Sequence, residues 1–529
     1  MNDPNSAPLI AYILAKLFVL YLMYLLVKKV LKIVGINLDK PKYPEYYPRE
    51  SLLNNSIQSM FKFLFTAPFK FIGFLFGLDF GDNPKNAFMR GFEKNNFFKS
   101  SNKGLLVDGE SLRLSESVSY QHMAVIGTTG SGKSTKIVIP NIFTLKKSSI
   151  VVTDLSGELF NKTSGYMKKK GYDIQVLNLA DIDHSLRYNP LYYIDDSNSI
   201  KKLAKLLVSS YNTSSSGDDV FWNSGAEQII YILISCLINT RQAEYINLAN
   251  VRFLLNQLIA NSDDVNSFVA RYAENTVWND YQGFINTSDN TLRSMIATAL
   301  NSLNAISDNN LALLTSENSI DFKSIREKKT IFYLIVPQED IKYYSFLINI
   351  FYSQLFSSIM KDGNKNKLPV YFLLDEFGHL KIPNFSTIIT TIRKYNVSIS
   401  IFLQSVNQLN MNYGNHEASA ILDGGIGSKL FLKGGINNEN LLQIERMLGT
   451  YRKKYKEDGK IVFRDEKIMT AEQIRTMPDN QSFYLYINKK PAILNMKSYY
   501  ENSRFKRYSK KTPVNFVNTG SRSVEYIRL

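Results

Sequence analysis

From about residue 120 onward, the apolar positions fall into short unbroken blocks separated by segments of helical spacing. HMAVI (122–126), SSIVVTD (148–154), YDIQVLNL (172–179), KKTIFYLIVP (328–337), LPVYFLLDE (368–376), VSISIFLQS (397–405) and GSKLFLKG (427–434) are runs of Val, Ile, Leu and Phe without polar alternation. Such runs predict central parallel strands covered on both faces. Helical periodicity lies between them, for instance at 340–360 and at 438–448, the latter stopped by Gly449 as a C-cap. The alternation predicts an α/β fold with a doubly wound sheet. The stretch 195–315 breaks it, with helical patterns at 197–210, 222–239, 245–260 and 289–305, polar connectors such as TSSSGDD (213–219), and no convincing strand. An all-α domain inserted into the sheet domain is expected there, leaving 81–194 and 316–503 to form the sheet. Residues 504–529 contain RFKRYSKK and little apolar patterning, and are expected to be a mobile basic tail.

Two longer apolar runs precede this body. LIAYILAKLFVLYLMYLLV (9–27) carries one charge, Lys16, and is long enough as a helix, ~28 Å, to cross a bilayer's hydrocarbon core. MNDPNSAP before it has no Lys or Arg and no small-residue cleavage site follows, so an uncleaved span is expected rather than a signal peptide. In FKFLFTAPFKFIGFLFGL (61–78), Lys62, Thr66, Lys70, Gly73 and Gly77 share one helical face. That stripe suits an interfacial helix or a second span packed on the first through its glycines. Lys28, Lys29, Lys32, Lys40, Lys42 and Arg49 in the connector place it in the cytoplasm by the positive-inside rule, which favours the interfacial form. Residues 1–80 are thus expected to be a membrane anchor.

Composition narrows the chemistry. The 529 residues are 44% hydrophobic and 21% charged, which supports real cores and excludes a disordered chain. A single cysteine, Cys236, excludes a disulfide framework and any Cys-rich metal site. Of the four histidines, His416 with Glu417 opens like a zinc-protease motif, but Ala420 stands where its second histidine is needed. The net charge of +16 points to a polyanion, either nucleic acid or an anionic membrane face. Part of that charge flanks the apolar runs and more lies in 504–529, so only the remainder is free for nucleic acid.

Residues 127–134 read GTTGSGKS, a complete G-x-x-x-x-G-K-[ST] motif between a predicted strand and a predicted helix. Gly127, Gly130 and Gly132 let backbone N–H groups turn inward around phosphate oxygens. Gly127, Thr128, Thr129, Gly130, Ser131, Gly132, Lys133, Ser134 and Thr135 are therefore the expected nucleotide-binding residues. Lys133 would reach the β- and γ-phosphates and Ser134 a Mg²⁺ ion, while the helix N-terminus adds positive potential. The second half of the site is VYFLLDEFG (370–378), with Asp375 at the carboxyl end of a buried strand, where α/β sheets bind ligands. Asp375 suits the Mg²⁺ hydration shell, and Glu376 beside it could orient and deprotonate an attacking water. ATP hydrolysis is expected, rather than phosphoryl transfer to a metabolite. Gln404, at the tip of VSISIFLQS, could feel the γ-phosphate. Arg393 could reach a neighbouring subunit's nucleotide as an arginine finger. LSGE (155–158) faintly resembles the signature of ABC transporter ATPases, but lies just after the phosphate loop and far before Asp375, the wrong order for that class.

These motifs together resemble the type IV secretion coupling proteins, the TraG/TraD-like conjugal transfer ATPases. LLDEFGHLKIPNFSTIITTIRKYNVSISIFLQSVNQLNMNYG (373–414) is similar to their signature around the second nucleotide motif. TDLSGELF (153–160) resembles their D-P-K-G-E-L segment with Leu155 and Ser156 replacing Pro and Lys, so Asp154 is given no firm role. YNPL (188–191), FWNSGAEQII (221–230) and MTAEQIRTMPDNQSFYLYINKKPAIL (469–494) resemble further family segments in family order. The resemblance implies a RecA-like P-loop NTPase domain with an inserted all-α domain involved in substrate choice. It also implies a hexameric ring at the bacterial cytoplasmic membrane with the ATPase domain in the cytoplasm. Its partners would be DNA with bound relaxase, or protein effectors, and the type IV secretion channel. The family commonly has two spans, against the single certain span favoured by the charges. An ATP-driven motor for nucleoprotein is one reading; the other is an ATP-gated receptor or assembly platform for protein effectors. No recognition helix stands out, so DNA contact through phosphates, without sequence readout, is expected.

Overall fold

The computed structural model describes residues 87–529, apart from 212–216, 362–366, 434–437, 458–459 and 488. The spans expected at 9–27 and 61–78 lie outside the described residues.

Among the described residues, eleven strands form the β-structure: β1 (Met123–Ile126), β2 (Ser149–Asp154), β3 (Asp173–Asn178), β4 (Thr330–Ile335), β5 (Val370–Leu374), β6 (Val397–Leu403), β7 (Ser428–Leu432), β8 (Thr450–Glu457), β9 (Lys460–Lys467), β10 (Gln481–Tyr486) and β11 (Ala492–Asn495). Nine build one sheet in the order β11-β10-β7-β1-β6-β5-β2-β4-β3, while β8 and β9 form a separate hairpin. The seven apolar runs of the sequence are the seven strands β1 to β7, all parallel to their neighbours within that set. The sheet is nevertheless mixed: β10 runs antiparallel to β7, and β11 to β10.

Alternation along each strand divides the core in two. Ala124, Ile126, Val370, Phe372, Leu374, Ile399, Ile401 and Leu403 face one layer. Met123, Val125, Tyr371, Leu373 and Phe402 face the other. Both faces are therefore dry along the central strands, which is why these carry no polar alternation, whereas β3 at the edge of the sheet leaves Asp173, Gln175 and Asn178 half-buried. Two buried hydroxyl pairs pin helices to the sheet, Thr153–Tyr352 and Thr163–Tyr333, each at 2.6 Å.

Between β3 and β4 the described residues contain helices and no strand, from Ser197–Tyr211 to Asn309–Leu314. The central helix, Gly217–Asn239, packs on Ser197–Tyr211, Asn275–Ile285 and Asp289–Ser302. Its Gly225 permits that approach, since a Cβ there would lie 2.3 Å from Met295 Sδ. Among the described residues this is the one helix long and apolar enough to cross a membrane, and Ala226, Ile229, Ile230, Leu233 and Leu237 on it are buried core. The helices Ser262–Tyr272 and Asn275–Ile285 escaped the periodicity reading because each buries only three residues. At the entrance to the insert, Asn189 of YNPL accepts from Leu191 N at 2.9 Å and donates to Ile246 O at 2.7 Å.

The segment 504–529, expected to be a mobile tail, is instead packed. Tyr508 stacks on Tyr166 with 3.8 Å between ring centroids. Val514 N donates to Ser164 Oγ at 3.1 Å. The chain passes so close to the helix Glu158–Lys169 that a Cβ on Gly165 would lie 2.0 Å from Thr512 O. It then reaches the helical insert, where Ile527 is buried and its N–H donates to Asn250 Oδ1 at 2.8 Å. Basic composition hid this, because the anchoring is carried by isolated aromatics and backbone groups rather than by an apolar run.

Candidate functional site

The parallel strands β1, β6 and β5 are neighbours at the centre of the sheet, and their carboxyl ends carry Gly127, Gln404 and Asp375 respectively. Sheet order thus assembles residues that are 277 positions apart, Gly127 to Gln404, at one edge. Gly127 N donates to Leu403 O at 3.0 Å, fixing the start of the phosphate loop to the tip of β6. A Cβ on Gly127 would stand 2.5 Å from Ser131 Oγ, so the loop closes only around glycine. Gly130 and Gly132 hold φ of +80° and +91°, a region L-residues avoid. Thr129 and Gly130 form the exposed tip, whereas Ser131 is buried and its Oγ has no hydrogen-bond partner among the described residues. Thr135 Oγ1 turns back to Gly132 O at 3.4 Å. The following helix opens with a wide π-type winding, Lys133–Val138, and continues as Ile139–Thr144. Pro140, which has no N–H to give, prevents regular α-winding through this junction.

Lys133 is buried and folds across the loop. Its Nζ donates to Gly127 O at 2.9 Å and lies 3.2 Å from Glu376 Oε1. Ser134 Oγ donates to Asp375 Oδ2 at 3.1 Å. Burial, and then repulsion from Glu376, push the Asp375 carboxyl up to about 6, against the opposing pull of Lys133 and the Ser134 hydroxyl. A hydroxyl and a carboxylate oxygen facing each other at this edge are the hard donors that Mg²⁺ takes alongside phosphate oxygens. The glycine cradle and the unpartnered Ser131 hydroxyl fit a bound phosphate chain.

Glu376 sits in the left-handed region at φ 47°, ψ 42°, a conformation that costs a non-glycine residue of order 1 kcal/mol or more. This turn swings its carboxylate back over the loop. There one oxygen faces Lys133 and the other accepts from Gln404 Nε2 at 3.2 Å. Glu376, Lys133, Gln404, Ser134 and Asp375 are thus brought together by the fold.

Arg393 is not brought to this site. It lies in the short turn Ile392–Tyr395 that enters the amino end of β6, across the sheet from the loop, and it is exposed. Its electrostatic neighbour is His122, at the start of β1. Its place just before β6 in the chain sets it at that end, and a reach to a neighbouring subunit's nucleotide concerns a different site from this one. Asp154 is engaged locally: its carboxylate accepts from Ser156 N at 3.4 Å and from Phe160 N, in the first turn of the helix Glu158–Lys169, at 2.8 Å.

Two further residues hold the site: Gln408, which lies within the 373–414 signature but has no role assigned by it, and Asn440, which no motif includes. Gln408 Oε1 accepts from Gln404 N at 3.1 Å, and Asn440 Nδ2 donates to Gln404 O at 3.1 Å. Both act on the backbone of Gln404, so nothing in their spacing relative to the phosphate loop could announce them.

A glycine-rich phosphate loop between β1 and its helix, faced by acids at the end of β5, the parallel strand beyond β6, defines a P-loop NTPase of RecA-like fold. Residues 90–520 match the family described as Type IV secretory system Conjugative DNA transfer, and the chain belongs to that family. It is 24% identical over 412 residues to Protein VirD4 of Rhizobium radiobacter, covering 73% of this chain and 58% of that protein. The chain therefore spans a little over half the length of that relative. Among solved structures it is similar to the bacterial conjugative coupling protein TrwBdeltaN70 in its unbound monoclinic form, with TM-score 0.61 and 17% identity over 83% of this chain and 96% of that one. It is likewise similar to the plasmid coupling protein TrwB in complex with ADP and Mg²⁺, with TM-score 0.60 and 17% identity over 83% and 97%.

Proposed function

We propose that this chain is the membrane-anchored ATPase of a type IV secretion or conjugation system, which recruits DNA with its bound protein and drives its transfer by hydrolysing ATP. The observation that carries the reading is the placement of Glu376, a carboxylate held between Lys133 and Gln404 immediately beside the Ser134–Asp375 pair. A pure nucleotide-gated scaffold needs no such group. Gly127 to Thr135 bind the phosphates through backbone N–H groups. Lys133, released from Gly127 O, turns to the β- and γ-phosphates. Ser134 and Asp375 would hold Mg²⁺, which would supply positive charge to offset that of the phosphates. Glu376 orients a water and takes its proton, and Gln404 fixes the carboxylate that does so. Membership of the family, and a TrwB relative crystallised with ADP and Mg²⁺, support ATP and Mg²⁺ as the cofactors.

The same reading places the anchor within residues 1–80 in the bacterial inner membrane, the RecA-like body in the cytoplasm, and the chains in a hexameric ring. The helical insert at 195–315 would choose substrate, and the partners would be relaxase-bound DNA and the secretion channel. Glu376→Gln tests it. Steady-state turnover should fall about 10²–10⁴-fold while ATP still binds. If transfer in a mating assay survives that loss of turnover, the motor reading fails and an ATP-gated receptor for protein effectors takes its place.

A further inference from the structure

The β8–β9 hairpin stands apart from the main sheet as a two-stranded unit. Its residues 450–467, TYRKKYKEDGKIVFRDEK, include seven basic and four acidic side chains with three aromatic rings between them. The register pairs Arg452 with Asp465, Lys454 with Phe463 and Lys456 with Ile461, so these positions share one face of the ribbon. Phe463 is 58% exposed at the centre of that face, with basic positions opposite it and on both diagonals. On the other face Tyr455 is flanked by two cations, Lys453 Nζ at 5.0 Å and Arg464 Cζ at 5.6 Å from its ring centroid. Each of them also makes a surface ion pair, with Glu466 at 3.0 Å and Glu457 at 2.9 Å respectively, of the weak kind a phosphate can displace. Lysines alone would serve to keep a two-edged hairpin from pairing with another chain. An exposed phenylalanine among them works against that purpose. It is what a stacking platform requires, because every base has a π-face and the neighbouring cations meet its phosphates.

The hairpin is also tied to the nucleotide site. The helix Asn438–Leu448 presents Asn440 to Gln404 O at one end. Near its other end, Glu445 accepts from Lys467 Nζ, in β9, at 2.5 Å and from Ala471 N at 2.7 Å. One rigid helix of three turns therefore spans from the residue that holds Glu376 to the base of the hairpin.

We propose that the β8–β9 hairpin is a contact site for single-stranded nucleic acid, with Phe463 and Tyr455 stacking on bases and the surrounding Lys and Arg residues on phosphates. This rests on the reading of the chain as a DNA-handling ATPase and adds where the strand is touched. The test uses the full chain in detergent, a fluorescent 20-residue oligothymidylate for binding, and ATP turnover with and without it. Replacing both rings, Phe463→Ala with Tyr455→Ala, should weaken oligonucleotide binding about tenfold and raise the ATPase's half-maximal oligonucleotide concentration in step. Turnover without nucleic acid should be unchanged. Phe463→Tyr, in a chain that keeps Tyr455, should retain binding, and Phe463→Trp should gain fluorescence quenched by the oligonucleotide and not by brominated anionic phospholipid. Binding unchanged within about twofold in the double variant overturns the site while leaving the ATPase reading in place. Quenching by lipid without quenching by oligonucleotide overturns it in favour of a membrane contact. A wild-type chain that turns over ATP but neither binds nor responds to nucleic acid overturns both this site and the DNA-handling reading.

Discussion

Gln404 Nε2 donates to Glu376 Oε2 at 3.2 Å, joining the tip of β6 to the turn after β5 across the nucleotide edge of the sheet. The amide is itself fixed through its backbone, whose N–H is taken by Gln408 and whose carbonyl is taken by Asn440. Gln404 thus sets the direction of the carboxylate without needing to touch nucleotide. Gln404→Ala removes one hydrogen bond from a charged acceptor and should lower kcat about tenfold, with ATP affinity within about twofold of the original. Gln404→Glu puts a second negative charge against Glu376 and should be worse. Equal losses in affinity and kcat would instead place Gln404 on the nucleotide. Steady-state kinetics beside equilibrium binding of a fluorescent ATP analogue separate the two.

Ser134 and Asp375 meet at 3.1 Å as hydroxyl donor and carboxylate acceptor. If they are the protein's oxygens toward Mg²⁺, removing the charge of Asp375 should leave metal-free nucleotide binding intact and abolish the gain that Mg²⁺ adds. Asp375→Asn should therefore bind ADP equally well with EDTA or with Mg²⁺, while the unmodified chain binds more tightly with Mg²⁺. A Mg²⁺ enhancement that survives the substitution would remove Asp375 from the metal site.

The legible part of this molecule was the part in which chemistry and burial repeat along the chain. The strands β1, β2, β4, β5 and β6 were readable because each is dry on both faces, β3 and β7 because their apolar residues still dominate, and Lys133, Ser134, Asp375 and Glu376 because strand ends put them beside a glycine-rich loop. What escaped depends on contacts between distant backbone groups. Asn440 and Gln408 serve Gln404 through its main chain, which no side-chain motif records. The hairpin β8–β9 is wet on both faces, so its alternation carries no apolar signal. Its basic neighbours likewise disguised 504–529, which is held by Tyr508, Val514 and Ile527 one at a time.

His122 immediately precedes β1 with φ of 63°, fully buried, its Nδ1 accepting from Ile399 N at 3.0 Å. Burial holds its imidazole down to about 3, from an ordinary value of 6.5, with a backbone hydrogen bond opposing and the Arg393 charge adding a smaller push. Between those values the unfolded chain binds a proton that the folded chain refuses. Stability from this group is therefore full above pH 6.5 and is lost as pH falls below it, at up to about 1.4 kcal/mol per pH unit. His122→Asn keeps an acceptor for Ile399 N and tolerates the positive φ. Urea denaturation at pH 7.5 and 5.5 should find the variant gaining on the original chain at the lower pH. A stability difference equal at both would show that His122 carries no linked proton.

The packed segment beyond residue 503 makes a sharper claim on the helical insert. Asn250 is fully buried in the helix Leu248–Ala260, donates to Glu525 O at 2.9 Å and accepts from Ile527 N at 2.8 Å. Ile527 itself is buried against the same core. Ile527→Ala should destabilise the insert by about 2 kcal/mol through lost burial and the space left behind. Omitting residues 521–529 should cost more, because Asn250 then loses two of its partners inside an apolar surround. Hydrogen exchange resolves where the cost falls. Amides of Leu248–Ala260 should exchange about tenfold or more faster in either variant, while those of β5 and β6 should not change. Uniform acceleration through the whole chain would mean the segment stabilises the molecule globally, and no change in Leu248–Ala260 would return 504–529 to the role of a free basic tail.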